Sequence, residues 1–284
     1  MQDWRCPHCL AELAIGANEH RCAACGWSRR LDGRLWLEDE AMQPADFDRA
    51  AAIRLQDMEA HFWMRERRRL LGKIIARLQP PGGRAVELGC GTGGLLPLLE
   101  RRFPEVVAVD AHAALLRQAA RASEKAELVQ ADVCRSTLPS GSFGLIVAMD
   151  VLEHVDPDAF LAEARRLSGE RGMLLLSVPA APSLWSRMDE MAGHRCRYTR
   201  PRLAAELSRN GWEPVAYTHY QCLLFPLVWL SRALGRRGRG LPERSPPSWL
   251  DGLLGQVNRL EVSLFGGRSL PFGSSLLMWA RLRK

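Results

Sequence analysis

The chain has 284 residues, with 39 Lys+Arg against 32 Asp+Glu and 47% hydrophobic residues. This ordinary globular composition excludes collagen-like, low-complexity and disordered classes, and the length suits one large domain plus a small module. The longest apolar run, Cys222 to Leu230, is nine residues with Pro226 inside it, far short of the roughly 20 a bilayer-crossing helix needs. No apolar leader follows Met1, so the expected location is cytoplasmic, at most peripheral at a membrane.

Two pairs, Cys6-Pro-His-Cys9 and Cys22-Ala-Ala-Cys25, stand twelve residues apart. In a reducing compartment such knuckles read as metal ligands rather than disulfides. Four thiolates close one tetrahedral structural Zn²⁺ site and leave no open position for chemistry. Trp27 to Leu37, with Asp32-Gly33 inside, reads as a hairpin. Residues 1–42 are therefore expected to form a small zinc ribbon.

Residues 43–80 are expected to be a polar joint, Gln43 to Asp48, and a connecting helix from Asp57 to Leu78. Phe62, Leu70, Ile74 and Leu78 keep helical spacing, and Pro80-Pro81-Gly82-Gly83 stops the helix. Arg65, Arg67, Arg68 and Arg69 form a basic cluster, read as a solvated face or an anion contact.

From residue 81 onward, apolar strands alternate with helical segments. Arg84 to Leu88 is a strand entering the Gly-rich turn Gly89-Cys90-Gly91-Thr92-Gly93. Val106 to Asp110 is a buried strand ending in an acid about 20 residues after the glycines, a placement suited to ribose hydroxyls. Leu128 to Val133 ends in Asp132, beside an apolar neighbour. Phe143 to Met149 is a strand expected to enter a helix, and Arg171 to Pro179 is the next strand. These units imply an α/β doubly wound sheet. Arg200 to Gly211 reads as an amphipathic helix, Trp212 to Tyr220 and Ser274 to Leu282 as a closing antiparallel pair. The segment 222–272 between them reads as a helical insert or lid with a helix over Ser248 to Phe265.

Glu87-Leu-Gly89-Cys-Gly91-Thr-Gly93 with its ordered successors resembles the motifs of class I S-adenosylmethionine (SAM) methyltransferases. The resemblance covers roughly residues 57 to 284. It implies a Rossmann-like methyltransferase domain at 81–284 and SAM as cofactor. The implied cofactor residues are Glu87, Gly89, Cys90, Gly91, Gly93, Asp110, Ala111, Asp132, Val133 and Met149. His61-Phe-Trp63-Met-Arg65, Ser177-Val-Pro-Ala180, Leu184 to Asp189 and Gly193 to Thr199 further resemble a large bacterial methyltransferase group, types 11 and 23. The ribbon is similar to the Trm112-like modules that precede or partner such domains. The resemblance implies methyl transfer to O or N of a small biosynthetic acceptor: a lipid, glycan or natural-product intermediate.

Catalytic candidates on the acceptor side are His194, Tyr198 and His154, with Arg195 and Arg197 as anion clamps. Asp150, Glu153 and His154 at i, i+3, i+4, together with His194, resemble the divalent-metal site of metal-dependent ubiquinone-pathway and small-RNA methyltransferases. An alternative acceptor is RNA, because a four-Cys module ahead of this fold is similar to a ribosomal RNA methyltransferase family. Against it, the first 42 residues hold 5 Lys+Arg and 7 Asp+Glu, and Gly193 to Tyr198 does not match that family. Residues 195–284 hold 15 Lys+Arg against 5 Asp+Glu. That basic end is expected to be a lid or homodimer surface, or to face an anionic lipid surface.

Overall fold

The computed structural model describes residues 6–9, 11–38, 61–81, 83–235, 248–266 and 268–283. The polar joint Gln43–Asp48, the start of the connecting segment and the Arg/Gly run 236–240 lie outside them. Among the described residues, one sheet of eleven strands, numbered in chain order, organises the chain, in the order β1-β2-β3-β4-β7-β6-β5-β8-β9-β11-β10. Its centre is β5 (Arg84–Leu88), β6 (Glu105–Asp110), β7 (Glu127–Gln130), β8 (Phe143–Met149) and β9 (Ser168–Pro179), all parallel. These strands read as near-continuous apolar runs because both faces are covered. The antiparallel pair β10 (Trp212–Tyr220) and β11 (Ser275–Leu282) closes one end through β9.

One face packs Leu70, Ile74, Leu96, Leu99 and Leu116 from the helices α1 (Phe62–Leu78), α2 (Leu96–Glu100) and α3 (Ala113–Ala122). The other packs Phe160, Leu161, Leu203 and Leu207 from α4 (Pro157–Leu167) and, beyond the short α5 (Arg187–Met191), α6 (Arg200–Arg209). Strand order reverses between β5 and β8, so a crevice opens at their carboxyl ends, where ligands bind in doubly wound sheets. The insert supplies two more helices, α7 (Phe225–Gly235) and α8 (Ser248–Phe265).

The Asp150-to-Val155 stretch departs from expectation. It is turn and bend, not helix. Asp156 accepts the Ala159 amide at 2.8 Å and Pro157 occupies the first turn, so the N-cap chemistry starts the helix only there.

The ribbon is built into the sheet rather than hung from it. Its strands are β1 (Ala14–Ile15), β2 (Glu19–Arg21), β3 (Ser28–Asp32) and β4 (Leu35–Glu38), and β4 pairs parallel with β7, Leu35 opposite Leu128 and Trp36 opposite Val129. Strand β7 would otherwise be an open edge, with unpaired backbone groups. Trp36 is buried in the main core, and burying one large apolar side chain contributes about 1.5–3 kcal/mol. Arg34 donates to the carbonyls of Ala120, Ser123 and Ala126 at 2.9–3.1 Å, a cation at the end of α3 and on the loop that follows it. Two ladder registers alone would hold the ribbon weakly; Trp36 and Arg34 fix it.

Arg34→Ala removes the donor from those three carbonyls. It is expected to lower stability by about 1–3 kcal/mol, read as an earlier urea midpoint, and to make the ribbon susceptible to limited proteolysis. An unchanged midpoint and cleavage pattern would mean that Arg34 does not secure the ribbon.

Candidate active site

The cradle is built by the turn after β5. Gly89, Gly91 and Gly93 have φ of 76°, 54° and 81°, a region that favours glycine. A Cβ at Gly89 would lie 2.4 Å from Val151 Cγ2, and one at Gly93 2.9 Å from Ala119. A Cβ at Gly91 would meet nothing within 4 Å, so this position opens onto free space where a ligand can approach backbone. Gly89 and Cys90 amides donate to Val109 O at 2.8 and 2.9 Å, tying the turn to the end of β6.

There Asp110, 7% exposed, accepts the Gly91 and His112 amides, each at 2.9 Å. Burial raises its carboxyl pKa while those amides oppose the rise. The result is a rigid pair of acceptor oxygens beside the glycine turn, the arrangement a ribose diol needs. Gln130 Nε2 donates to Ala111 O at 3.1 Å, and Gln130 Oε1 accepts the Glu38 amide from the ribbon at 3.1 Å. Asp132 is exposed and accepts the Cys134 amide at 2.8 Å, while Val133 is buried beside it. Glu87 and Cys90 are buried, and burial pushes the Cys90 thiol well up, keeping it neutral. Met149 ends β8, half-buried. All ten sequence-predicted cofactor residues thus sit at or just beyond the carboxyl ends of β5 to β8.

The acceptor side follows β8 and β9. Asp150, with φ of 56°, pairs with Arg67 and accepts Ser177 Oγ at 2.6 Å. Burial raises its carboxyl, but Arg67 and Ser177 together bring it below the usual carboxylate range. This contact latches α1 onto the ends of β8 and β9. It also removes Asp150 from the metal group read from sequence.

Glu153, His154 and His194 do converge, each offering a ligand atom within 4.8 Å of the others. Glu153 is fully buried with neither carboxyl oxygen hydrogen-bonded among the described residues, and burial raises its pKa well above normal. The imidazoles of His154 and His194 meet edge to face at 4.9 Å. Burial, then the neighbouring His194, lowers the His154 pKa. His194 Nδ1 lies 3.0 Å from Asp189 Oδ1.

Asp189 was not assigned a role from sequence. It is 1% exposed, caps α5 through the Ser186 amide at 2.9 Å, and accepts Arg197 Nε at 2.8 Å. Its carboxyl lies far below the usual range despite burial, because His194 and Arg197 donate to it. Ser186 followed three residues later by Asp189 is a legible capping box. Two expectations shift. Arg197 is committed to Asp189 and to Ala180 O at 2.9 Å, so it is no clamp, whereas Arg195 stays exposed. Tyr198 is 1% exposed in the core, under the Arg202 guanidinium, with its hydroxyl sealed from solvent.

In the ribbon, Cys6 Sγ lies 3.5 Å from Cys25 Sγ and Cys9 Sγ 3.5 Å from Cys22 Sγ, all four within 4.8 Å of one another. Tetrahedral Zn–S bonds of about 2.3 Å require sulfur separations of about 3.8 Å, so the donor set fits. An open groove of about 1150 Å³ borders Thr92 and Gly94. Arg65, Arg68, Arg69, Lys73, Arg101, Arg102 and Arg121 line it, with no acid and no aromatic among its lining residues.

The crevice, the glycine turn and the acid ending β6 are those of a class I SAM-dependent methyltransferase. Residues 61–217 match the model of the methyltransferase-domain family, and the chain belongs to that family. It is 29% identical over 208 residues to a malonyl-[acyl-carrier protein] O-methyltransferase of Alcanivorax borkumensis, covering 69% of this chain and 67% of that protein. It is 34% identical over 122 residues to a ubiquinone biosynthesis O-methyltransferase of Xanthomonas axonopodis pv. citri, covering 39% of this chain and 51% of that protein. The match thus spans about half the length of that second relative. Among solved structures, one of a Haloferax volcanii complex between a Trm112 methyltransferase activator and a putative methyltransferase shares the fold. The TM-score is 0.55 at 16% identity, over 83% of this chain and 95% of that one.

Gly91→Ala and Gly89→Ala should separate binding from folding. Gly91→Ala is expected to weaken S-adenosylhomocysteine binding on the order of tenfold, about 1.4 kcal/mol, with a smaller fall in melting temperature than Gly89→Ala, because it bears the left-handed backbone strain without a clash. Gly89→Ala should lower the melting temperature through its clash with Val151. Calorimetry and thermal melts on both variants check this, and equal loss of folding in the two would refute the open-cradle reading of Gly91.

Proposed function

We propose that the chain transfers a methyl group from SAM to an oxygen or nitrogen of a small biosynthetic acceptor. The observation that carries this is the Glu153, His154, His194 and Asp189 constellation beside the cofactor crevice. The relatives named above are a malonyl-[acyl-carrier protein] O-methyltransferase and a ubiquinone biosynthesis O-methyltransferase, which supports a small or carried acceptor here too.

SAM, when bound, supplies an electrophilic methyl carbon for in-line displacement. This chain's residues align the acceptor and handle its proton. The Asp189 bond assigns the His194 proton to Nδ1, which leaves Nε2 as the base toward the acceptor. Asp189 then stabilises the imidazolium that forms, as the paired carboxylate does in other acid–base sites. Arg195 is exposed next to this cluster and is suited to an acidic group on the acceptor.

Glu153, His154 and His194 also suit a divalent cation, because two imidazoles and an unpartnered buried carboxylate form an N/O donor set. Such an ion would hold the acceptor oxygen as its anion, with Asp189 orienting His194 from behind. Asp150 would not join it. Cys6, Cys9, Cys22 and Cys25 would hold structural Zn²⁺, closing the ribbon that covers β7. The insert adds a second surface, for a lipid face or a second copy of the chain.

RNA as acceptor is the second reading, favoured by the basic groove. That groove offers phosphate contacts but no stacking platform.

His194→Ala is expected to cut kcat by about 10²–10⁴ with S-adenosylhomocysteine affinity unchanged. Asp189→Asn should lower kcat and shift the pH profile of the rate. Release of S-adenosylhomocysteine with carboxylic and phenolic acceptors measures this, with and without chelator. A His194→Ala protein with native turnover would remove the base and metal roles. Methyl label incorporated into bulk RNA instead would establish the second reading.

A further inference from the structure

Thirteen large apolar side chains are exposed among the described residues, and nine of them fall between Leu223 and Phe272. The helix α8 is inside out. Trp249, Leu253, Leu260 and Leu264 recur at helical spacing and face outward; Trp249 is 70% exposed. Asn258 and Glu261 face inward, buried. Asn258 Nδ2 donates to Tyr220 Oη at 2.9 Å, and the Glu261 carboxylate accepts the Gln221 and Leu223 amides at 2.8 Å each. A helix meant for water carries the opposite pattern. Exposed apolar residues continue on α7 with Leu227, Trp229 and Leu230.

The charge of this end identifies the occupant. The insert itself, residues 222–272, carries 7 Arg against 3 Asp+Glu, a net charge of +4. A second copy would bring two such cationic ends together. An anionic bilayer offers both apolar depth and opposite charge, and Trp with Leu beside Arg is the composition of helices that lie in that interface. No helix among the described residues is long and apolar enough to cross a membrane, so the contact is one of lying on the surface.

The face also adjoins the acceptor side. Helix α7 packs on the turn Pro182–Leu184, and its Arg232 donates to Ser186 Oγ. Ser186 is the residue capped by Asp189, which holds His194. We propose that α7 and α8 dock this chain on an anionic membrane surface, presenting the acceptor side to lipid-borne amphiphiles. The acceptor half of this statement rests on the methyltransferase function proposed above; the docking half does not.

Vesicle flotation tests the docking directly, using the full chain with phosphatidylcholine vesicles alone or mixed with phosphatidylglycerol. Flotation is expected only with phosphatidylglycerol, weakened by salt and accompanied by a blue shift of Trp emission. Trp229→Ser/Trp249→Ser and, separately, Leu253→Ser/Leu260→Ser should reduce flotation on the order of tenfold while retaining S-adenosylhomocysteine binding, which shows that they fold. Absent flotation, or flotation indifferent to both variants, overturns docking. So does a dimer in sedimentation that the same substitutions dissolve. Methyl label from SAM is then followed with vesicles of total bacterial lipid. Label in the organic phase supports the lipid-borne acceptor, and label confined to water-soluble products overturns it. A chain that floats but binds no S-adenosylhomocysteine would overturn the methyltransferase reading and leave docking standing.

Discussion

Three left-handed backbone positions, Gly89, Gly91 and Gly93, are the constraint on which the rest of the site depends. They turn the chain from β5 into α2 tightly enough for the Gly91 amide to reach Asp110. Without that turn, Val151 and Ala119 could not pack as close as they do. The carboxyl ends of β5 and β6 would then not form a common floor. Two of these glycines are fixed by packing and one by the need for open space, so the same short segment both builds the fold and leaves room for a ligand.

The ribbon extends this logic to the sheet's edge. Its last strand pairs with β7, and the Glu38 amide, the Gln130 side chain and the Ala111 carbonyl form a continuous hydrogen-bonded path to the loop after Asp110. The four-cysteine cluster Cys6, Cys9, Cys22 and Cys25 therefore belongs to the module that backs the Asp110 side of the crevice. Arg67 plays the corresponding part on the other side, where its ion pair with Asp150 draws α1 over the ends of β8 and β9. The crevice is bounded by elements distant in sequence, each secured by one buried or half-buried charged contact.

Much of this was legible in the sequence because it is local. The glycine spacing, the acids ending their strands, the paired cysteines and the closing strand Trp212–Tyr220 all announce themselves within short windows. What the sequence concealed is long-range. The pairing of Leu35 with Leu128 joins two residues that no local pattern connects. Asp150 reads as a metal ligand by its spacing to Glu153 and His154, and only the distant Arg67 and Ser177 draw it away. The helical spacing itself failed there, because Asp156 and Pro157 set the helix start later. Tyr198 reads as a reactive side chain, yet Arg202 and the core cover it. Asp189 lay in a visible capping box, but its hold on His194 and Arg197 depends on how the following loop folds back.

Titration of the purified chain with S-adenosylhomocysteine, with zinc measured on the same sample, tests the central claim most directly. The account expects saturable binding, its loss or marked weakening in Asp110→Ala, and about one zinc per chain. A folded, zinc-loaded chain that binds no S-adenosylhomocysteine, or one whose Asp110→Ala variant binds it as tightly, would contradict the account.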